Sequence, residues 1–112
     1  MNLTIREERN GPQTMLYLQG EVDAFTAPRL SERLTPIVLN PEYSSVTVNL
    51  AEVSYMDSTG IGVFIGALKA SKQSGCQLQI TQIPPRIDRL FQITGLKQIL
   101  SIVSPEGGEA TK

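Results

Sequence analysis

The chain has 112 residues, 10 basic and 11 acidic side chains, a formal net charge of -1, one cysteine and no histidine. That length fits one domain around one core, and the balanced charge excludes the concentrated basic surface that nucleic acid requires. The lone cysteine excludes an internal disulfide or a cysteine zinc cluster, and the absence of histidine removes the usual general base of Ser-His-Asp chemistry.

Leu3 to Glu7 and Thr14 to Gly20 read as strands, joined through Asn10-Gly11, two residues that tolerate positive φ and signal a hairpin. A helix is predicted from about Ala27, with Thr26 as its cap and Pro28 in its first turn. Leu30, Leu34, Ile37 and Val38 share its inner face. Pro36 lacks the N–H that bonds one turn back, so the helix is expected to kink or loosen there and to end near Asn40-Pro41.

Val46, Val48 and Leu50 alternate with Thr47 and Asn49, the two-residue period of a half-buried strand. The second helix is predicted from Ser58 to about Ser74, with Ile61, Phe64, Ile65 and Leu68 on the sheet and Gly75 just past its end. Its opposite side, Val63, Ala67, Ala70 and Ser74, carries no charge, where surface helices usually place it. Either the third helix or the tail covers this face, or a partner docks on it.

Cys76 opens the next strand, Gln77 to Thr81, and reads as a buried, inert thiol. Pro84-Pro85 introduces a third helix with Ile87, Leu90, Phe91 and Thr94 inward, stopped by Gly95. Leu96 to Val103 is short and mixed, and fits a turn of helix leading into an edge strand. Ser104 to Lys112 has nothing to bury, so the domain is expected over residues 1–103 with a disordered tail over 104–112.

Strands separated by helices require crossover connections. The predicted fold class is therefore α/β: a small mixed β-sheet that starts with an antiparallel hairpin and packs against about three to four helices. The N-terminus has no basic segment followed by an apolar stretch, and no run approaches the length of a bilayer. A soluble cytoplasmic protein without membrane or nucleic-acid partners is expected.

The chemistry concentrates at Tyr55 to Gly62, Tyr-Met-Asp-Ser-Thr-Gly-Ile-Gly, where a strand turns into a helix. Asp57 and Ser58 are residue types whose oxygens accept from the free N–H groups of a first turn, so a helix cap is the plain reading. Three functional readings stand beside it. Gly60, Gly62 and Gly66 sit where a phosphate-cradling turn would, yet no carboxylate follows at Thr81-Gln82-Ile83-Pro84 and no Gly-Lys-Ser/Thr is present; the glycines more simply allow close packing of helix on sheet. A nucleophile elbow needs glycine where Met56 stands, and a base that the chain lacks. Phosphorylation of Ser58 places a charge of about -1.5 to -2 at a helix N-terminus, which the fold tolerates and a partner docked over the turn does not.

Asp57-Ser58-Thr59-Gly60-Ile-Gly62, with Gly20-Glu-Val-Asp23 and Phe91-Gln-Ile-Thr-Gly95-Leu96 at their separations, resembles the STAS-domain anti-sigma factor antagonists, nearest to those that act on an anti-sigma-B factor. The resemblance runs from the first strand to about Val103. It implies that the unmodified protein binds an anti-sigma factor that is also a serine kinase, releasing the sigma factor for transcription. Phosphorylation of Ser58 then ends the complex and a metal-dependent serine phosphatase restores it. It further implies a substrate and ligand rather than an enzyme, with no cofactor of its own: ATP and magnesium belong to the kinase. Asp57, Thr59 and Gly60 map onto the loop that such kinases engage, Thr59 also as a secondary acceptor, and Asp23 onto the neighbouring loop, where a plain cap carboxylate is the other reading. Val63 and Ala67 would extend that surface along the helix. The alternatives are a stressosome-like scaffold subunit and a nucleotide- or lipid-binding domain of the same fold.

Overall fold

A computed structural model describes residues 2–96 and, for the backbone alone, 101–103. Strands β1 (Leu3–Asn10) and β2 (Gln13–Val22) form an antiparallel hairpin; then follow α1 (Ala27–Leu39), β3 (Ser45–Met56), α2 (Ser58–Ser74), β4 (Gln77–Thr81), α3 (Pro85–Thr94) and β5 (Ser101–Val103). The five strands lie in the order β1-β2-β3-β4-β5, parallel from β2 onward. This is the predicted mixed α/β sheet, with three helices among the described residues. Residues 97–100 and the predicted tail over 104–112 lie outside them.

The hairpin exists, but its turn is one residue later than predicted. Asn10 pairs with Gln13, so the two-residue loop is Gly11-Pro12. Gly11 has φ +65°, the value that the first loop position of a type II′ turn demands, and Pro12 supplies the fixed negative φ of the second.

Every crossover from β2 onward moves one strand in the same direction, and right-handed connections then place all three helices on one face. Burial agrees: Leu16, Leu18, Val46, Val48, Leu50, Leu78 and Ile80 are buried, while the alternating Tyr17, Thr47, Asn49 and Gln79 lie on a half-open polar face. The hydrophobic core fills the single layer between sheet and helices. Phe64 of α2 and Phe91 of α3 meet edge to face, with centroids 6.1 Å apart. Glu7, pointing inward from the edge strand, accepts from Thr14 Oγ1 at 3.2 Å and from the Tyr43 hydroxyl at 3.1 Å, so the loop after α1 is tied to β1.

Helix α1 ends at Leu39 with Asn40 as its cap, as predicted; Pro36 stands inside it, and both Pro36 and Glu32, whose carbonyl loses its partner, lie on the exposed side where water can replace the bond. Thr26 stands at the cap position of α1, as predicted, but its side chain makes no cap bond there. Strand β3 extends six residues past Leu50 to Met56, across register shifts opposite Gln19 and Glu21 that disturb its alternation. Thr94 is exposed, and its hydroxyl bonds back to the Leu90 and Phe91 carbonyls. The inner residues of α1 and the end of α2 before Gly75 are as predicted. Cys76 is buried, and that burial pushes its thiol pKa up.

Helix α2 buries Ile61, Phe64 and Leu68 as predicted, but a second side, expected to be covered by the third helix or the tail or left for a partner, is covered by α1. Ala67 is 1 % exposed, Val63 and Ala70 are half-buried, and Ser74 donates to the Val38 carbonyl at 2.6 Å, so α1 covers the face that looked open. Ile65, expected on the sheet, is 37 % exposed instead. The glycines divide as well. A Cβ on Gly60 would stand 2.7 Å from Val22 Cγ1 and 2.7 Å from Met56 Cγ, whereas one on Gly62 or Gly66 would meet nothing. Close packing explains Gly60 alone.

Gly60→Ala should therefore destabilise the fold by about 1–2 kcal/mol through overpacking. Gly62→Ala and Gly66→Ala should each stabilise it by about 0.5–1 kcal/mol through helix propensity. Urea denaturation of the three variants checks the contrast; a loss of stability in Gly62→Ala would contradict the open environment of that position.

Candidate functional site

Strand β3 ends at Met56, paired with Val22 at the end of β2. The Asp57 N–H continues that ladder by donating to the Val22 carbonyl at 3.2 Å, and the backbone then turns into α2. The Asp57 side chain, not that of Ser58, is the cap: Oδ1 accepts from the Thr59 N–H at 2.9 Å, one of the first-turn donors that has no partner within the helix. The Asp57 carbonyl accepts the next available donor, Ile61 N–H.

Ser58 is thereby the first helical residue. It is exposed, and its hydroxyl makes no hydrogen bond to the described residues. Thr59 beside it is also exposed, Asp57 is half-buried and Gly60 is buried. Positions 58, 62 and 66 fall one turn apart on one side of α2, so Ser58, Gly62 and Gly66 form a single low, exposed track.

Asp23 occupies the corresponding place at the end of the neighbouring strand. Its Oδ1 accepts from Phe25 N–H at 2.9 Å, from Thr26 N–H at 3.0 Å and from Thr26 Oγ1 at 3.2 Å, and its carbonyl accepts from Ala27 N–H at 2.8 Å. The buried Thr26 hydroxyl also donates to the Glu21 carbonyl at 2.8 Å. Partial burial pushes the Asp23 carboxyl pKa up, but the Thr26 and Phe25 N–H groups and the Thr26 hydroxyl outweigh it, and the pKa lies below the ordinary carboxylate value.

Two helices thus begin side by side at the ends of adjacent parallel strands, α2 capped by Asp57 and α1 preceded by the Asp23 turn. The structure brings Asp23, Asp57, Ser58, Thr59 and Gly60 to this one end of the molecule. It does not bring Val63 and Ala67 with them to the surface: α1 covers both, so neither extends an exposed docking face. A polar trough of about 380 Å³ lies on the open sheet face around Glu8, Arg9, Gln13, Tyr17, Thr47 and Gln79, and none of the predicted site residues lines it.

Sequence reasoning missed Phe25. It is 75 % exposed, whereas Phe64 and Phe91 are fully buried. The available signal was its setting: an aromatic residue between two turn formers, Asp23 and Thr26, outside any helical or strand period.

Comparison with known proteins places this geometry. The STAS domain family model matches residues 4–110. The anti-sigma-B factor antagonist of Bacillus subtilis is 39 % identical over 109 residues, covering 96 % of this chain and 98 % of that protein. Among solved structures, the anti-sigma factor antagonist SpoIIAA in its unphosphorylated form superposes with a TM-score of 0.71 at 16 % identity, covering 96 % of this chain and 90 % of that one. The Bacillus cell fate determinant SpoIIAA in the phosphorylated form gives 0.72 at 18 % identity, covering 92 % and 94 %.

Two measurements check the local chemistry. Asp57→Ala should cost about 1 kcal/mol of stability, the usual loss of a cap, while Ser58→Ala should stay within about 0.5 kcal/mol of the parent. Equal losses in urea denaturation would mean that the Ser58 hydroxyl shares the cap. For Asp23 the lowered pKa means that its stabilising contribution is complete above the ordinary carboxylate value and disappears as pH falls through the lower folded value. An acid titration followed on the Phe25 and Thr26 amides by NMR should give a midpoint below about 3.9; a midpoint at or above that value would refute the bonded turn.

Proposed function

The chain belongs to the STAS-domain family, and on that premise we propose that it is an anti-sigma factor antagonist whose binding is switched at Ser58. In the unmodified state it binds an anti-sigma factor serine kinase and frees the sigma factor for transcription. The observation that carries this reading is the state of Ser58: a hydroxyl exposed at the first position of α2, free of structural bonds, on a turn held in shape by Asp57 and Val22. A kinase can reach such a hydroxyl without unfolding anything. The names of the similar proteins, anti-sigma factor antagonists in unphosphorylated and phosphorylated forms, support the same reading.

The chemistry is divided between the partners. The kinase transfers the γ-phosphoryl group of ATP to Ser58 Oγ; the bond to ADP breaks, the Oγ–P bond forms, and the hydroxyl proton leaves to the kinase. A metal-dependent serine phosphatase returns the hydroxyl by hydrolysis. This chain supplies the substrate and the docking surface, is not itself an enzyme and carries no cofactor, and the exchange takes place in the cytoplasm.

Release follows from where the charge arrives. A phosphoserine of about -1.5 to -2 charges at the first position of a helix is offset by the N-terminal end of the macrodipole, so the fold persists. At an interface the same dianion, one residue from the Asp57 carboxylate, meets like-charge repulsion and desolvation.

Incubation with the kinase and ATP should add one phosphoryl group, and Ser58→Ala should abolish it, as intact-mass spectrometry will report. In binding assays Ser58→Ala should keep parent-like affinity, and Ser58→Asp should lose about 3 kcal/mol, roughly a hundredfold. Equal affinity of both variants would refute release by charge. A megadalton mass on size exclusion would favour a scaffold subunit instead.

A further inference from the structure

We propose that Phe25 is an apolar anchor for the same anti-sigma factor partner, which carries a hydrophobic pocket beside the cleft that receives Ser58; the inference rests on the reading of Ser58 as the kinase target. Three independent observations meet at this residue. First, its ring is 75 % exposed while the other two phenylalanines are fully buried, so it contributes nothing to the core. Second, the turn that carries it is fixed. Asp23 Oδ1 accepts from the Phe25 and Thr26 N–H groups, and the Thr26 hydroxyl, itself buried, is tied to Glu21 and Asp23. The backbone that aims the ring outward is therefore ordered before any partner arrives, and an aromatic ring has few rotamers left to lose on binding.

Third, the turn is coupled directly to the Ser58 junction. Phe25 follows Val22 by three residues, and Val22 accepts the Asp57 N–H and packs its side chain against Gly60, two residues past Ser58. Both loops leave the paired ends of β2 and β3, so a protein surface that reaches Ser58 spans the neighbouring turn as well. Isolated exposed apolar residues are ordinary on protein surfaces. A rigidly presented aromatic ring beside a modifiable serine has instead the composition of a binding hot spot, an anchor that fills a pocket next to polar contacts.

The test uses the full chain and the purified anti-sigma factor kinase from the same organism. Phe25→Ala should leave the unfolding temperature unchanged and weaken binding about thirtyfold or more. Phe25→Tyr should keep affinity within about fivefold, since it preserves the ring. Ser58→Asp, run in parallel, separates the two claims. If Ser58→Asp weakens binding and Phe25→Ala binds like the parent, the anchor is refuted and the Ser58 reading survives. If the parent chain does not bind the kinase at all, both fall. Should the parent sediment as a dimer that Phe25→Ala converts to monomer with kinase affinity intact, the ring joins two copies of this chain, and the proposal is overturned.

Discussion

Val22 holds the two halves of the site together. Its carbonyl accepts the Asp57 N–H at 3.2 Å, and its side chain fills the space that a Cβ on Gly60 would occupy. The first contact fixes where β3 ends; the second fixes how closely the first turn of α2 can approach the sheet. Between them Ser58 has no freedom of position, although it makes none of these contacts itself. The same strand end leads into the Asp23 turn, so the geometry of both loops is referred to one residue of β2. A substitution that shifts Val22 would move both loops, whereas one at Ser58 moves neither.

That separation suits a covalent switch. A residue that both caps a helix and receives a phosphate would exchange one structural role for another at each modification. Here the cap is the Asp57 carboxylate, and it stays in place whether or not Ser58 changes. A phosphate on Ser58 would add to the helix terminus without replacing any bond. Its proximity to Asp57 is unfavourable and its proximity to the positive end of the helix is favourable, the latter by about 0.3–1 kcal/mol at an exposed site. A phosphate there would leave the bonds of the fold intact, and its charge would act on whatever docks over the turn.

Much of this arrangement could be read from residue order, and the failures have definable causes. The fold class, the limits of α2 at Asp57 and Gly75, and the start of α3 at Pro84-Pro85 rest on local chemistry that tertiary structure did not override. The hairpin turn slipped by one residue because Asn10-Gly11 and Gly11-Pro12 both satisfy turn rules, and only pairing register chooses between them. β3 looked short because its register shifts break the two-residue alternation that identifies a strand. Thr26 holds the cap position of α1, yet its hydroxyl is bound to the Asp23 N–H and the Glu21 carbonyl instead of to a first-turn donor, a choice that residue type alone does not show. The second covered side of α2 was least legible. Its residues are small or apolar on nearly every side, so periodicity did not distinguish the face under α1 from the face in water.

Several residues that folding rules do not account for lie close to the Ser58 junction, although Ile93 of α3 is as exposed as Phe25. Buried polar side chains in the described residues all find partners. Gly62 and Gly66, by contrast, each cost about 1 kcal/mol relative to alanine in the interior of a helix and meet no neighbouring atom in return. Phe25 leaves a large apolar ring in water on a turn built to hold it there. Ser58 keeps a hydroxyl unbonded at a helix end where such groups usually bond. Gly62 and Gly66 share the α2 track of Ser58, and Phe25 stands on the loop beside its first turn. A sequence selected for stability alone would have corrected each of them with a single substitution. Around this strand-to-helix junction the chain gives up stability without recovering it inside its own fold, as chains commonly do where a residue serves something other than folding.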